Sequence, residues 1–304
     1  MITELELYDE EHTVFVPIVG LSPATTQQIL GPITLHTATP EFLQRIATDA
    51  GFTPDYVKQH TDAWVWAEVH VVAEPKCAVA RAEAQCLPLI DVLRFWMACL
   101  ADRAPCAIGL QGDVITTERP RIVIETASQR KSFDPHRSRL IPGFPLNENV
   151  MEAVRSLQLD VLVQLINERS EHQTDFVKLV RHALHLFGNG KVQATGADRF
   201  LSFVTCLETF LSVSEASINQ SVAEGVVMFL DIPVSERVQL KKELQRLYGL
   251  RSKLSHGRQT EVPVEDLFLL EDLTKAFLRA MIAHREQFHS KEALIAALEH
   301  RRLA

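Results

Sequence analysis

An arginine and a histidine five positions apart close the segment Leu247-Tyr248-Gly249-Leu250-Arg251-Ser252-Lys253-Leu254-Ser255-His256-Gly257. The guanidinium of Arg251 is a permanently charged, planar fork of donors suited to phosphate. The imidazole of His256 is of the type that exchanges protons near neutral pH. Held on one phosphodiester, such a pair is equipped to cut RNA without a metal. The ribose 2′-hydroxyl attacks its own phosphate, the histidine moves a proton, and the arginine offsets the charge that develops in the transition state. DNA lacks that hydroxyl and falls outside this chemistry.

Positioning the pair is a problem of helix geometry. The segment reads as a helix with Ser235 as N-cap and Gly257 as the stop just past its end. On its wheel Leu240, Leu244, Leu247, Arg251 and Leu254 form one stripe. A guanidinium on an apolar stripe needs a partner, because a buried unpaired charge is costly. His256 lies about 140° away from Arg251, so one straight helix does not aim both groups at one point. Either Gly249 permits a bend or two copies of the helix meet across a dimer. At a helix C-terminus the macrodipole favours the imidazolium by roughly 0.3–1 kcal/mol. Tyr248, Ser252, Lys253 and Ser255 flank the pair and are candidates to contact substrate; packing and ordinary helix surface are the alternatives.

The spacing alone is not rare. With 21 arginines and 12 histidines in 304 residues, about one Arg-x4-His is expected by chance, and Arg279–His284 is a second. That one has no glycine after it and reads as a helix surface pair. The charge distribution favours the first. Residues 1–160 carry 13 Lys+Arg and 21 Asp+Glu, whereas residues 161–304 carry 18 of each. Within 236–258, seven basic residues (Arg237, Lys241, Lys242, Arg246, Arg251, Lys253, Arg258) stand against Glu236 and Glu243, a local net of +5. An overall −8 argues against a general nucleic-acid coat, but a local +5 permits a focused phosphate-binding surface.

Other constellations are weaker. His182 and His185, with Asp175 or His172, lack an acidic residue within one turn and read as surface, so no metal or cofactor is expected. Glu208, inside an apolar helix, is a possible partner for Arg251. Gly188-Asn189-Gly190-Lys191 lacks the rest of a phosphate loop and reads as a turn. The five cysteines (Cys77, Cys86, Cys99, Cys106, Cys206) have no zinc spacing and read as reduced thiols. Trp64 and Trp66 share a face of one strand, and with Trp96 they read as core, or the first two as a recognition patch.

The elements that must hold these residues divide the chain at about 150 into an α+β domain (1–150) and an all-α bundle of four or five helices (151–304). In the first domain, 13–16, 32–37 and 63–73 read as strands, the first stopped by Pro17. Residues 86–102 read as an amphipathic helix, 107–116 and 121–126 as two joined strands, and 128–149 as a linker. In the second, helices are expected over 151–168, 174–187 (ending at Gly188), 197–213, 235–256, 264–288 and, shorter, 291–303. The acidic N-terminus is not a secretory signal, and no stretch is long and apolar enough to span a bilayer, so a cytoplasmic protein with no membrane partner is expected.

Leu-Tyr-x-x-Arg-Ser-x-x-x-His-Gly followed by an acidic-apolar helix resembles the HEPN superfamily, specifically its ApeA-like members. Upstream, Ala183-Leu184-His185-Leu186-Phe187, Asp198-Arg199-Phe200-Leu201 and Leu207-Glu208-Thr209-Phe210-Leu211 are similar too. The resemblance covers about 150–290. It implies a helical bundle that forms a homodimer, brings Arg251 and His256 of both copies into one cleft, and cuts RNA without a metal, commonly in antiviral defence or toxin systems. Ser252 stands where many members carry Asn, Asp or His. A non-catalytic HEPN dimerisation or interaction module is the alternative, as is a toxin neutralised by a separate antitoxin.

Overall fold

The computed structural model describes residues 9–22, 27–59, 63–101, 103, 106–111, 119–124, 131–136, 143–168, 171–212, 218–230, 232–257, 259 and 261–303. It falls into two compact units: Met1–Leu93 with Pro105–Val163, and Arg94–Ala104 with Gln164–Ala304. The division therefore does not fall at one point near 150. The last turns of one long helix belong to the second unit, the helix that follows residue 147 belongs to the first, and the boundary then runs through the next helix, between Val163 and Gln164.

In the first unit β1 (Glu10–Val19), β3 (Gln28–Leu30), β4 (Ile33–Thr37), β5 (Val65–Ala73) and β6 (Gly109–Leu110) form a sheet ordered β3-β4-β5-β1-β6. All its pairings are antiparallel. β2 (Leu21–Ser22) pairs with β9 (Phe144–Pro145) in parallel. The expected strand 63–73 is present as β5, whose Val65, Ala67, Val69, Val71 and Ala73 are all buried in alternation. Its other face is covered in part by α1 (Pro40–Asp49), where Trp66 packs on Phe42, Leu43 and Ile46. Trp96 is also core, whereas Trp64 is exposed. α2 (Pro54–Gln59) adds Val57 to the same cluster.

Several expectations give way here. β1 runs through Pro17, which pairs with Trp66. β6 reaches only Ile18 and Val19, so at Pro17 β1 is an edge on that side, where a missing N–H is tolerated. The helix expected from Cys86 is α3 (Pro75–Leu100), which continues through Pro88. Ala82, Cys86, Leu89, Leu93 and Trp96 are fully buried, and that burial outweighs the roughly 3 kcal/mol a mid-helix proline costs. β7 (Arg119–Ile124) pairs with β8 (Lys131–His136), which lies inside the stretch read as a linker. Residues 112–118, 125–130 and 137–142, which complete those expectations, lie outside the described residues. The helix expected over 151–168 is two, α4 (Glu148–Ser156) and α5 (Val161–Asn167), because Gln158 between them takes a positive φ of 55°.

The second unit is helical: α6 (Asp175–Val192), α7 (Gly196–Leu211), α8 (Ile218–Phe229), α9 (Val234–Ser255), α10 (Val264–Ala283) and α11 (Lys291–Leu303). Thr174 and Thr195 cap α6 and α7 by accepting from the N–H of Val177 and of Asp198. Phe176, Phe187, Phe200, Phe203, Phe210 and Phe277 fill the core. α6 does not stop at Gly188. It runs on because Gly190 is a packing glycine: a Cβ there would meet the Phe203 ring at 2.8 Å. Lys191, in the same stretch, is a buried structural cation on Glu271, whose other oxygen takes Arg199 at 3.1 Å. α8 has no counterpart in the sequence reading, and α10 ends at Ala283, five residues before the expected stop. Val213, the expected end of α7, lies outside the described residues.

Candidate functional site

α9 is built much as its sequence suggests. Leu244, Leu247 and Leu254 are buried along one side, and Arg251 lies on that side. The helix begins at Val234 after Pro233 with no side-chain cap, so Ser235 is inside it. Its end is the expected one. His256 is the C-cap, and Gly257, at φ 65°, donates to the carbonyl of Leu254 at 3.0 Å.

The partner of Arg251 is Glu208 of α7: Nη2 lies 3.5 Å from Oε1, with the side chains 39% and 16% exposed. The contact is long for a charge-assisted hydrogen bond. Among the described residues Glu208 Oε1, which is buried, accepts no hydrogen bond, and the buried hydroxyl of Tyr248 has no partner either. Tyr248, read as a candidate to contact substrate or to pack, is interior, at 5% exposure. Burial first, and then the negative charge of Glu208, push its phenol well above the ordinary tyrosine range. It is a protonated donor at any working pH.

Ser252, Lys253, Ser255 and His256 lie on exposed parts of α9 and its C-cap. No ion pair or side-chain hydrogen bond holds them among the described residues. One chain thus gathers Arg251, Glu208 and Tyr248, while His256 faces solvent on another side of the same helix end.

The electrostatics are more subdued than the sequence predicts. Lys241 pairs with Glu224 of α8 at 2.6 Å. Arg246 makes a two-pronged contact with Asp266 of α10 at 2.8 and 2.6 Å, and a third with Glu243 at 2.9 Å. Glu224, Asp266 and Glu208, three carboxylates from other helices, lower the formal +5 of the segment to +2. Lys242 and Lys253 remain open to solvent; Arg258 lies outside the described residues.

The second Arg-x4-His differs in kind. Arg279 is exposed, but His284 packs edge-on against Phe229 at 6.0 Å and bonds Gln287 through Nδ1 at 2.8 Å. Among the described residues no group of three or more His, Cys, Asp or Glu side chains is placed to hold a metal ion. His185 bonds Asn189 at 2.9 Å. The cysteines are free thiols, and burial pushes Cys86 up to about 12 and Cys99 up to about 11. No helix among the described residues is long and apolar enough to cross a membrane. No protein-family model, curated protein or solved structure matches the chain.

Proposed function

We propose that this chain is an HEPN-type endoribonuclease that works as a homodimer, with Arg251 and His256 as its catalytic pair. The observation that carries the reading is the build of α9. It holds a guanidinium against the largely buried carboxylate of Glu208, then ends one turn later with an exposed imidazole that has no partner among the described residues, at a glycine stop. Because the two groups leave the helix about 140° apart, the arginine of one copy and the histidine of the other form the working site. Arg251 offers its solvent-facing donors to a phosphate oxygen, and His256 takes the proton of the attacking 2′-hydroxyl or delivers one to the leaving 5′-oxygen. Ser252, Lys253 and Ser255 line the RNA path. An antiviral or toxin role is the biological setting that fits such an activity.

The test is cleavage of RNA by the purified protein. His256→Ala and Arg251→Ala should each lower the rate by at least about 10²-fold, the scale of losing a general acid–base group, while Arg279→Ala and His284→Ala should do little. Cleavage should survive EDTA, spare DNA, and leave a 2′,3′-cyclic phosphate. Light scattering should find a dimer, alone or with RNA. Dependence on Mg²⁺, equal cutting of DNA, full activity of His256→Ala or a strict monomer defeats the proposal. The second reading, a non-catalytic interaction module, draws on the same ion pair: Arg251 already has a carboxylate, and the local charge is only +2. A well-formed dimer with no activity on any RNA, in cells or purified, would favour it.

A further inference from the structure

We infer that Glu208 and Tyr248 are positioning residues for Arg251, with the Glu208 carboxylate bridging the Tyr248 hydroxyl and the guanidinium to fix where the arginine points its donors. The inference rests on the ribonuclease reading and adds two residues to it.

Two buried polar atoms lie unbonded among the described residues: Glu208 Oε1, an acceptor, and Tyr248 Oη, a donor. Leaving either unmade is costly. Both groups belong to one neighbourhood. The charge of Glu208 acts on the Tyr248 phenol, Arg251 and Cys206 act on it as well, and Arg251 Nη2 lies 3.5 Å from Glu208 Oε1. Tyr248 and Arg251 are three positions apart on α9, so their side chains lie on one face of it. Their neighbours along the two helices include apolar interior residues: Cys206, Leu207, Leu247 and Leu254 are buried. A phenylalanine and a leucine would fill this space without stranding polar atoms.

A carboxylate has lone pairs for both neighbours. Turned slightly, it accepts from the Tyr248 hydroxyl on one side and from the guanidinium on the other. Tyr248 then fixes the carboxylate, and the carboxylate fixes the arginine. When RNA arrives, Arg251 keeps one edge on Glu208 and offers the other to the phosphate. A fork held this way gains directional precision that a free, partly exposed side chain lacks.

The test uses the full chain and a fluorescent single-stranded RNA of mixed sequence. Tyr248→Phe and Glu208→Gln keep shape and remove, respectively, the donor and the charge. Each should lower kcat about tenfold with KM within about twofold, the pattern of a contact that matters in the transition state. Neither should lower kcat further in an Arg251→Lys background, since coupled residues are not additive. Melting temperatures should stay close to wild type. Wild-type kcat in both variants, or equal losses with and without the Arg251 substitution, overturns the inference. A readout independent of cleavage separates it from the ribonuclease reading: rotation of the Arg251 guanidinium about Nε–Cζ, followed by arginine-selective NMR. It should be slow in the wild type and faster in both variants. Equal rotation in all three proteins overturns the positioning role, whereas slowed rotation in a wild type inactive on every RNA would remove only the ribonuclease reading.

Discussion

Arg246 and Arg251 lie on the same helix and both meet carboxylates from a neighbouring one, yet their geometry suits different work. Arg246 is gripped by both oxygens of Asp266 and by Glu243, the arrangement of a structural clamp. Arg251 has one long contact and keeps 39% of its side chain open, which leaves donors for a ligand. The hydrogen bond from Arg246 holds the Asp266 carboxyl below its ordinary value of 3.8. A carboxyl depressed in the folded state stabilises the fold above its unfolded pKa and loses that contribution as pH falls through the folded value. The clamp should therefore be fully present at neutral pH and weaken below about pH 4. Asp266→Asn should lower the urea midpoint at pH 7 and flatten its decline below about pH 4. An unchanged midpoint at pH 7 would show that the clamp adds nothing to stability.

Two glycines, one on α6 and one on α9, test how the helices are packed. Gly190 sits where α6 crosses α7, with the Phe203 ring 2.8 Å from where a Cβ would be. Phe203 is fully buried between helices, and its ring already lies 5.2 Å from that of Phe187, so it has little room to yield. Gly190→Ala should cost about 1–3 kcal/mol, the scale of overpacking a core. Gly249 is the opposite case: it lies mid-helix in α9, exposed, with nothing within 4 Å of the added Cβ. Gly249→Ala should stabilise the monomer by up to about 1 kcal/mol through helix propensity. Thermal melts of the two variants read both signs. A stabilised Gly249→Ala that dimerises less would place the partner's surface over this face.

For the whole molecule, the division into units constrains where it can be cut. Phe95, at the end of α3, is fully buried and meets the Phe187 ring edge-on at 5.4 Å, and Arg94 bonds Asn189. A fragment beginning at Met151, the boundary that composition suggests, would lose that helix end and also split α4. It should melt well below the full chain or aggregate, since deleting a buried phenylalanine alone typically costs about 3–5 kcal/mol. Circular dichroism melts compare the two directly. A fragment as stable as the full chain would mean that the end of α3 is dispensable to the second unit.

The helical second half, the end of α9 at Gly257 and the placing of Arg251 on its inner side were all legible in the sequence. They depend on local rules: a 3.6-residue period, a glycine free to take positive φ, and a leucine stripe that includes one arginine. Glu208 was legible as a candidate because a carboxylate inside an apolar helix calls for a cation. Tertiary structure decided the rest. It carried α3 through Pro88 and α6 through Gly188 and Gly190, because burial against neighbouring elements outweighs a breaker's local cost. It paired β7 with β8, the second of which lies in a stretch whose prolines and glycines suggest a loop. It also neutralised most of the charge on α9 with carboxylates from α7, α8 and α10, and it buried Tyr248. A segment's own sequence counts its charges and its turns; which distant side chain lies opposite each one is settled only by packing, and at Arg251 that neighbour is Glu208.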